Sequence, residues 1–162
     1  MKLIIYITLF LTFFSSLPKL SEVREEYTKA PGNKEVTTKL YNLLSDVSKN
    51  DKKVYVAYKG ASCMMMAKYT KAKKEKKTLF KEGAGLIEFA VSEAPKDIEI
   101  RIIRLSIQEN APKFLKYRSN IQEDRQFVLD NYNKIKSESV KFFVRSYVLQ
   151  SDIFSETEKE LF

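Results

Sequence analysis

Two arginines and an amide share one side of a stretch that is predicted to be helical. Arg101, Arg104 and Gln108 follow one another at spacings of three and four residues, which places them on one helix face. Two planar guanidinium groups and an amide can together bind a carboxylate or a phosphate. With the polar segment after Pro112, the candidate binding residues are Arg101, Arg104, Gln108, Asn110, Tyr117, Asn120 and Asp124.

A structural network is the alternative explanation of the same residues. Arginines beside a polar connector often hold backbone carbonyls and a nearby carboxylate such as Asp124 in a buried ion-pair network. In that case Arg101 and Arg104 organise the connector between Asn110 and Asp124, and no ligand is needed. The sequence leaves both interpretations open.

The residue types that several large enzyme classes need are missing or scarce. The chain of 162 residues has no histidine, four glycines and one cysteine, which excludes histidine-dependent catalysis and zinc motifs, glycine-rich phosphate loops and an internal disulfide. We therefore expect no cofactor, no metal, no nucleotide and no catalytic residue. Carboxylate catalysis is a minor alternative, because Glu88, Glu93, Glu109, Glu123 and Asp124 could serve a hydrolase or lyase without histidine.

The single cysteine, Cys63, precedes three methionines in an apolar stretch. Free cysteine behaves as a small hydrophobic side chain in such surroundings. We expect a buried core residue, and a reactive thiol is the alternative.

Positive charge is concentrated in one segment of a chain whose formal net charge is +8. A run of this kind is either a solvated connector between helices or a contact for phosphate-rich polymers, lipid headgroups or an acidic partner. We predict an exposed connector. Its lysines are Lys68, Lys71, Lys73, Lys74, Lys76, Lys77 and Lys81.

The N-terminus has the pattern of an export signal. Met1 and Lys2 precede an apolar run from Leu3 to Phe14, and a charged start followed by a short apolar segment is typical of signal peptides. The run has 12 residues, whereas a membrane-spanning helix needs roughly 20. We predict a signal peptide over residues 1–17, a single domain over residues 18–162, and export to the periplasm or exterior, with an uncleaved N-terminal anchor as the alternative.

Apolar residues at helical spacing predict an all-α fold of antiparallel hairpins with about six or seven helices. The predicted helices cover about 20–29, 34–49, 54–69, 79–94 and 97–110, one after Ser119 or Asn120, and one around 140–148, before a short acidic helix or frayed tail. Asn33 and Asp97 are predicted helix caps. Residues 98–102 also alternate as a strand would, but the spacing of Ile98, Ile102 and Leu105 favours a helix.

Two resemblances extend this interpretation. Gly83, Ile87, Ala90 and Pro95 occupy the small, apolar, small and proline positions that resemble the second helix of a tetratricopeptide repeat. Ala67 and Lys71 depart from the pattern of the first helix, and no second copy follows, so the resemblance implies a repeat-like hairpin and not a repeat array.

A larger part of the chain, about 40–150, resembles a family of uncharacterised exported proteins of Bacteroidetes-type bacteria. The resemblance lies in Tyr58-Lys59-Gly60-Ala61-Ser62, in Met66-Ala67-Lys68-Tyr69 and above all in the segment from Arg101 to Asp124. It implies a small helical protein of the envelope or exterior, and no activity. We therefore expect a helical module that binds a protein or peptide, with polyanion or membrane-surface binding through the lysine segment as the alternative.

Overall fold

The computed structural model describes residues 17–162, and the predicted signal segment lies almost entirely outside the described residues. This part of the chain is all-helical, as the apolar spacing predicts. It contains eight α-helices and two one-turn 3-10 helices, Lys113–Leu115 and Tyr132–Lys134. The α-helices are α1 Leu20–Lys29, α2 Lys34–Leu43, α3 Lys53–Tyr69, α4 Lys73–Glu93, α5 Ile98–Asn110, α6 Ile121–Asn131, α7 Glu138–Gln150 and α8 Glu156–Lys159.

Side-chain caps begin two helices at the predicted positions. The Asn33 side chain accepts the amide N–H of Val36 at 3.1 Å, and Asp97 Oδ1 accepts the amide of Glu99 at 2.9 Å. These bonds satisfy amide groups that have no partner within the helix. The helical interpretation of residues 98–107 is thereby confirmed over the strand alternative.

Three local predictions are wrong. α2 ends at Leu43, and a turn carries Val47 into the core, because the Lys59 ammonium binds the Ser45 and Val47 carbonyls at 2.7 and 2.6 Å.

The lysine segment is not a connector, because α4 begins at Lys73 and only residues 70–72 link it to α3. Lysine is a good helix former, so the charged run extends the helix.

The third difference concerns the start of α6. Asn120 is the residue before the helix, but its side chain makes no capping hydrogen bond there. Its Oδ1 atom instead accepts from the Gln108 side-chain amide at 3.3 Å. A bond between helices has replaced the local cap.

α3 and α4 pack antiparallel at a crossing where two glycines meet. A Cβ atom added at Gly60 would lie 2.6 Å from the Gly83 carbonyl oxygen, and one added at Gly83 would collide with the Gly60 carbonyl. The two backbones are therefore in direct contact. The close packing predicted for Gly60 is confirmed.

α5 lies at the centre of the fold and contacts α3, α4, α6 and α7. Its isoleucines Ile100, Ile102 and Ile103 are completely buried, together with Leu40, Val56, Tyr58, Ile87 and Val144 from the surrounding helices. A helix covered on so many sides carries few side chains that reach solvent. Every buried polar residue on it therefore needs a partner within the protein.

Candidate functional site

Asp124 of α6 stands between the two arginines that the sequence singles out on α5. Arg104 donates from Nε to Asp124 Oδ2 and from Nη2 to Oδ1, both at 2.7 Å. Arg101 Nη1 donates to Asp124 Oδ1 at 2.8 Å. The Asp124 side chain is completely buried, so both of its oxygens face guanidinium groups and not water.

Arg104 uses its third guanidinium nitrogen as well, and Arg101 has further partners. Arg104 Nη1 donates to Glu88 Oε2 of α4 at 2.9 Å, and Arg101 Nε donates to the Pro95 carbonyl at 3.0 Å. Arg101 also pairs with Glu123, and this hydrogen bond lowers the pKa of the Glu123 carboxyl. The guanidinium of Arg101 lies over the Phe127 ring, 5.0 Å from its centroid.

Tyr117 and the amide pair extend the network into the connector. The Tyr117 hydroxyl donates to Glu88 Oε1 at 2.7 Å, and burial, followed by this bond, raises the pKa of Tyr117. Gln108 Oε1 accepts the Asn120 backbone amide at 3.2 Å. The network therefore joins α4, α5, α6 and the connector between α5 and α6.

Six of the seven candidate residues belong to this network, and Asn110 does not. Asn110 is exposed, and its amide donates to the Ser106 carbonyl at 2.9 Å within α5. An external anion would have to displace Asp124 or Glu88 to reach the guanidinium of Arg104. The arrangement is suited to holding the α4, α5 and α6 elements together, and the carboxylates Glu88, Glu123 and Asp124 all serve as partners of arginine within it.

A second buried ion pair was not predicted from the sequence. Glu99, on α5, accepts from Arg24 of α1 at 2.7 and 2.8 Å and from the Tyr58 hydroxyl of α3 at 2.7 Å. Its side chain is 5% exposed. The hydrogen bond to Glu99 raises the pKa of Arg24. An acidic residue among buried isoleucines was the only sequence signal for this site.

The C-terminal end of α5 carries a third carboxylate with several donors. Glu109 accepts from the Tyr147 hydroxyl at 2.6 Å, from the Ser151 hydroxyl at 2.9 Å and from the backbone amide of Asp152 at 3.0 Å. It thereby fixes the C-terminal end of α7. Glu99, Asp124 and Glu109 together connect α5 to helices from both ends of the chain.

Cys63 lies in the core, as expected. It is 1% exposed, and burial raises the pKa of its thiol to about 11. The thiol is therefore neutral at ordinary pH.

A groove separates α1 from α7. It has a volume of about 510 Å³. Phe142 of α7 borders it with 73% of its surface exposed, whereas the neighbouring Phe143 is buried at its floor. The lining residues are Ser21, Arg24, Glu25, Thr28, Lys29, Glu138, Ser139, Phe142, Phe143 and Ser146.

The seven lysines of the predicted basic surface are all exposed. We call this set, Lys68, Lys71, Lys73, Lys74, Lys76, Lys77 and Lys81, the lysine surface. None of these lysines forms an ion pair with another described residue of the chain. Glu75 and Glu82 are interspersed with these lysines, so the lysine surface presents an excess of positive charge to solvent.

Within residues 17–162, no cluster of three or more potential ligand residues could hold a metal ion. In the same part of the chain, every helix is too short or too polar to cross a membrane. The chain matches no protein-family model, and no curated protein or solved structure is significantly similar to it.

Proposed function

We propose that this chain is an exported, non-enzymatic helical module that binds another protein through the groove between α1 and α7. The observation that carries the proposal is Phe142, a large apolar side chain left 73% exposed beside that groove. The geometry suits an amphipathic helix of a partner, whose apolar face would cover Phe142 in the helix-in-groove mode.

The rest of the groove supports the same kind of occupant. Glu25 and Lys29 pair with each other on its rim at 2.6 Å, and Arg24 within it is already held by Glu99. The rim is polar and nearly neutral while the bordering side chain is aromatic, which is the usual anatomy of a protein contact surface. Charge is thus a minor contributor to binding here.

Photo-crosslinking in the cells that make the protein tests this proposal. A photoreactive residue at Ser146, inside the groove, should crosslink one discrete partner, and Phe142→Ser should abolish the product. Leu161→Ser is the matched control, because Leu161 is also a large apolar side chain, is 62% exposed and lies outside the groove. Crosslinking that survives Phe142→Ser, or that captures only a second copy of the chain, would refute a partner helix in this groove.

Export is tested separately. Removing residues 1–17 should leave the protein in the cytoplasm, as expected for loss of a signal peptide. Unchanged export of the truncated chain would contradict the assignment, whatever the groove binds.

A second candidate function is polyanion binding through the lysine surface. Its support is the absence of ion pairs from those seven exposed lysines within the described residues. Affinity for dextran sulfate should fall steeply with ionic strength, since such binding releases counterions. Partner binding in the groove should change little over the same salt range.

A further inference from the structure

Phe114 is the most exposed large apolar side chain among the described residues, at 80% of its surface. It lies in the loop of residues 112–118, which we call the Phe114 loop, between α5 and α6. Lys113 and Lys116 flank it, and both are exposed. No residue within 17–162 covers this apolar side chain, which lies between two cations.

The Phe114 loop is held in a defined conformation. Its 3-10 turn is closed by the Leu115 amide on the Pro112 carbonyl at 3.0 Å and by the Lys116 amide on the Lys113 carbonyl at 3.1 Å. Arg118 fixes the base of the loop by donating to the Glu109 carbonyl at 2.7 Å. The exposure of Phe114 therefore follows from a fixed backbone, and the side chain is presented to solvent before any ligand arrives.

The loop adjoins the lysine surface through two aromatic rings. Tyr117 meets Phe80 of α4 edge to face, with ring centroids 6.1 Å apart. Lys73, Lys76 and Lys77 precede Phe80 by seven, four and three residues, so they extend from the same side of α4. One region of the molecule thus combines an exposed apolar tip with a row of unpaired cations.

We propose that this region docks on the surface of an anionic phospholipid bilayer, with the lysines against the headgroups and Phe114 inserted at the boundary with the acyl chains. The proposal rests on the second candidate function above and names its target. Clustered lysines attract anionic lipid surfaces, and an apolar side chain beside them can be buried at the boundary between headgroups and acyl chains. A soluble polyanion would engage the lysines and leave Phe114 in water.

A fluorescent reporter can locate Phe114 directly, because the chain contains no tryptophan. Phe114→Trp is introduced into the full chain and mixed with vesicles of phosphatidylglycerol and phosphatidylcholine. Its emission should shift to shorter wavelength and should be quenched by lipids brominated on the acyl chain. Phe142→Trp is the matched control, since it is similarly exposed on α7 and should remain in water.

The charge requirement is tested in the Phe114→Trp background. Changing Lys73, Lys76 and Lys77 to glutamine should raise the concentration of anionic vesicles that gives half of the fluorescence change roughly a hundredfold, at about fivefold for each lysine. Changing Lys34, Lys96 and Lys136 to glutamine removes the same charge from other exposed positions and should have a much smaller effect. Vesicles of phosphatidylcholine alone should give almost no response.

Several outcomes would overturn the inference. It fails if tryptophan at position 114 stays in water on vesicle-bound protein, or if tryptophan at position 142 is quenched equally. Binding to dextran sulfate without insertion at position 114 would retain the polyanion function and reject the bilayer, and binding to neither probe would reject both. Blue-shifted emission with a single-stranded oligonucleotide but not with vesicles would instead indicate base stacking on this residue.

Discussion

Arg104 and Asp124 form a doubly hydrogen-bonded ion pair in which both Asp124 oxygens are used and the carboxylate is completely buried. The pair joins α5 to α6 across the connector that contains Pro112. A buried charge of this kind is tolerated only while its partner remains. The strength of the contact can therefore be measured by removing one side of it.

Arg104→Ala should lower the free energy of unfolding by roughly 3 to 5 kcal/mol, because it leaves Asp124 as a poorly compensated buried charge. Arg101→Ala should cost less, since Arg104 still binds both oxygens of Asp124. Urea denaturation measures both losses, with the exposed Arg145→Ala as the control. A loss below about 1 kcal/mol for Arg104→Ala would mean that the guanidinium is not a structural element, and the ligand-binding interpretation would gain support.

The glycine crossing of α3 and α4 makes a prediction with a built-in control. Gly60→Ala and Gly83→Ala should each destabilise the protein by about 1 to 3 kcal/mol or more, because the added methyl group meets backbone atoms. Gly85 lies in α4, as Gly83 does, and a Cβ atom added at Gly85 would meet nothing within 4 Å. Gly85→Ala should stabilise the protein by up to about 1 kcal/mol. Equal effects at all three positions in thermal melts would contradict the close crossing.

The ion pair between Arg24 and Glu99 should contribute to the free energy of unfolding much as the pair between Arg104 and Asp124 does. Arg24→Ala removes both guanidinium contacts from a carboxylate whose side chain is 5% exposed, and should cost about 3 kcal/mol. Lys29→Ala is the comparison, because Lys29 pairs with Glu25 within α1 and the two side chains are 58% and 62% exposed. That change should scarcely alter the urea midpoint. A similar loss in both variants would show that burial does not distinguish the pairs.

Cys63 should react slowly in the folded protein and make stability sensitive to alkali. Burial raises the pKa of its thiol from 9.0 to about 11, so the unfolded chain loses this proton first as the pH increases. The contribution is complete below pH 9 and is lost between pH 9 and 11. Cys63→Ala should therefore flatten the alkaline decline of the urea midpoint. Rapid labelling of native protein by a thiol reagent at pH 8 would contradict this burial.

Neutralising the lysine surface should leave the fold intact. Lys73, Lys76 and Lys77 are exposed and make no ion pair within the described residues, so their replacement by glutamine should not lower the melting temperature. Lys73 lies in the first turn of α4, where positive charge opposes the helix dipole, and its loss should if anything raise the melting temperature slightly. A marked drop would show that these lysines stabilise α4.

Local rules predicted the elements whose boundaries depend on nearby residues. Asn33 and Asp97 start α2 and α5 because each binds amides two or three residues ahead, and such short-range bonds are visible in the sequence. The start of α4 was missed because a charged run is compatible with both a solvated helix and a loop. The end of α2 was missed because Lys59, a residue of the next helix, stabilises the turn.

The same distinction applies to the polar networks. Asp124 could be proposed as the partner of Arg101 and Arg104 because a single break separates their helices. Glu99 and Arg24 are 75 residues apart, and no pattern in either segment indicates the other. Whether any of these residues also binds a ligand stays a prediction, as do the export signal and the repeat-like hairpin.

The sequence distance between Arg24 and Glu99 also affects the order in which contacts can form during synthesis. A ribosome adds roughly 5 to 20 residues per second, so α1 waits several seconds after its own synthesis before its buried carboxylate partner exists. Tyr27 waits as long for Ser106, to which its hydroxyl is bonded at 2.5 Å. The N-terminal third of the nascent chain therefore cannot complete its packing until the residues of α5 have been synthesised.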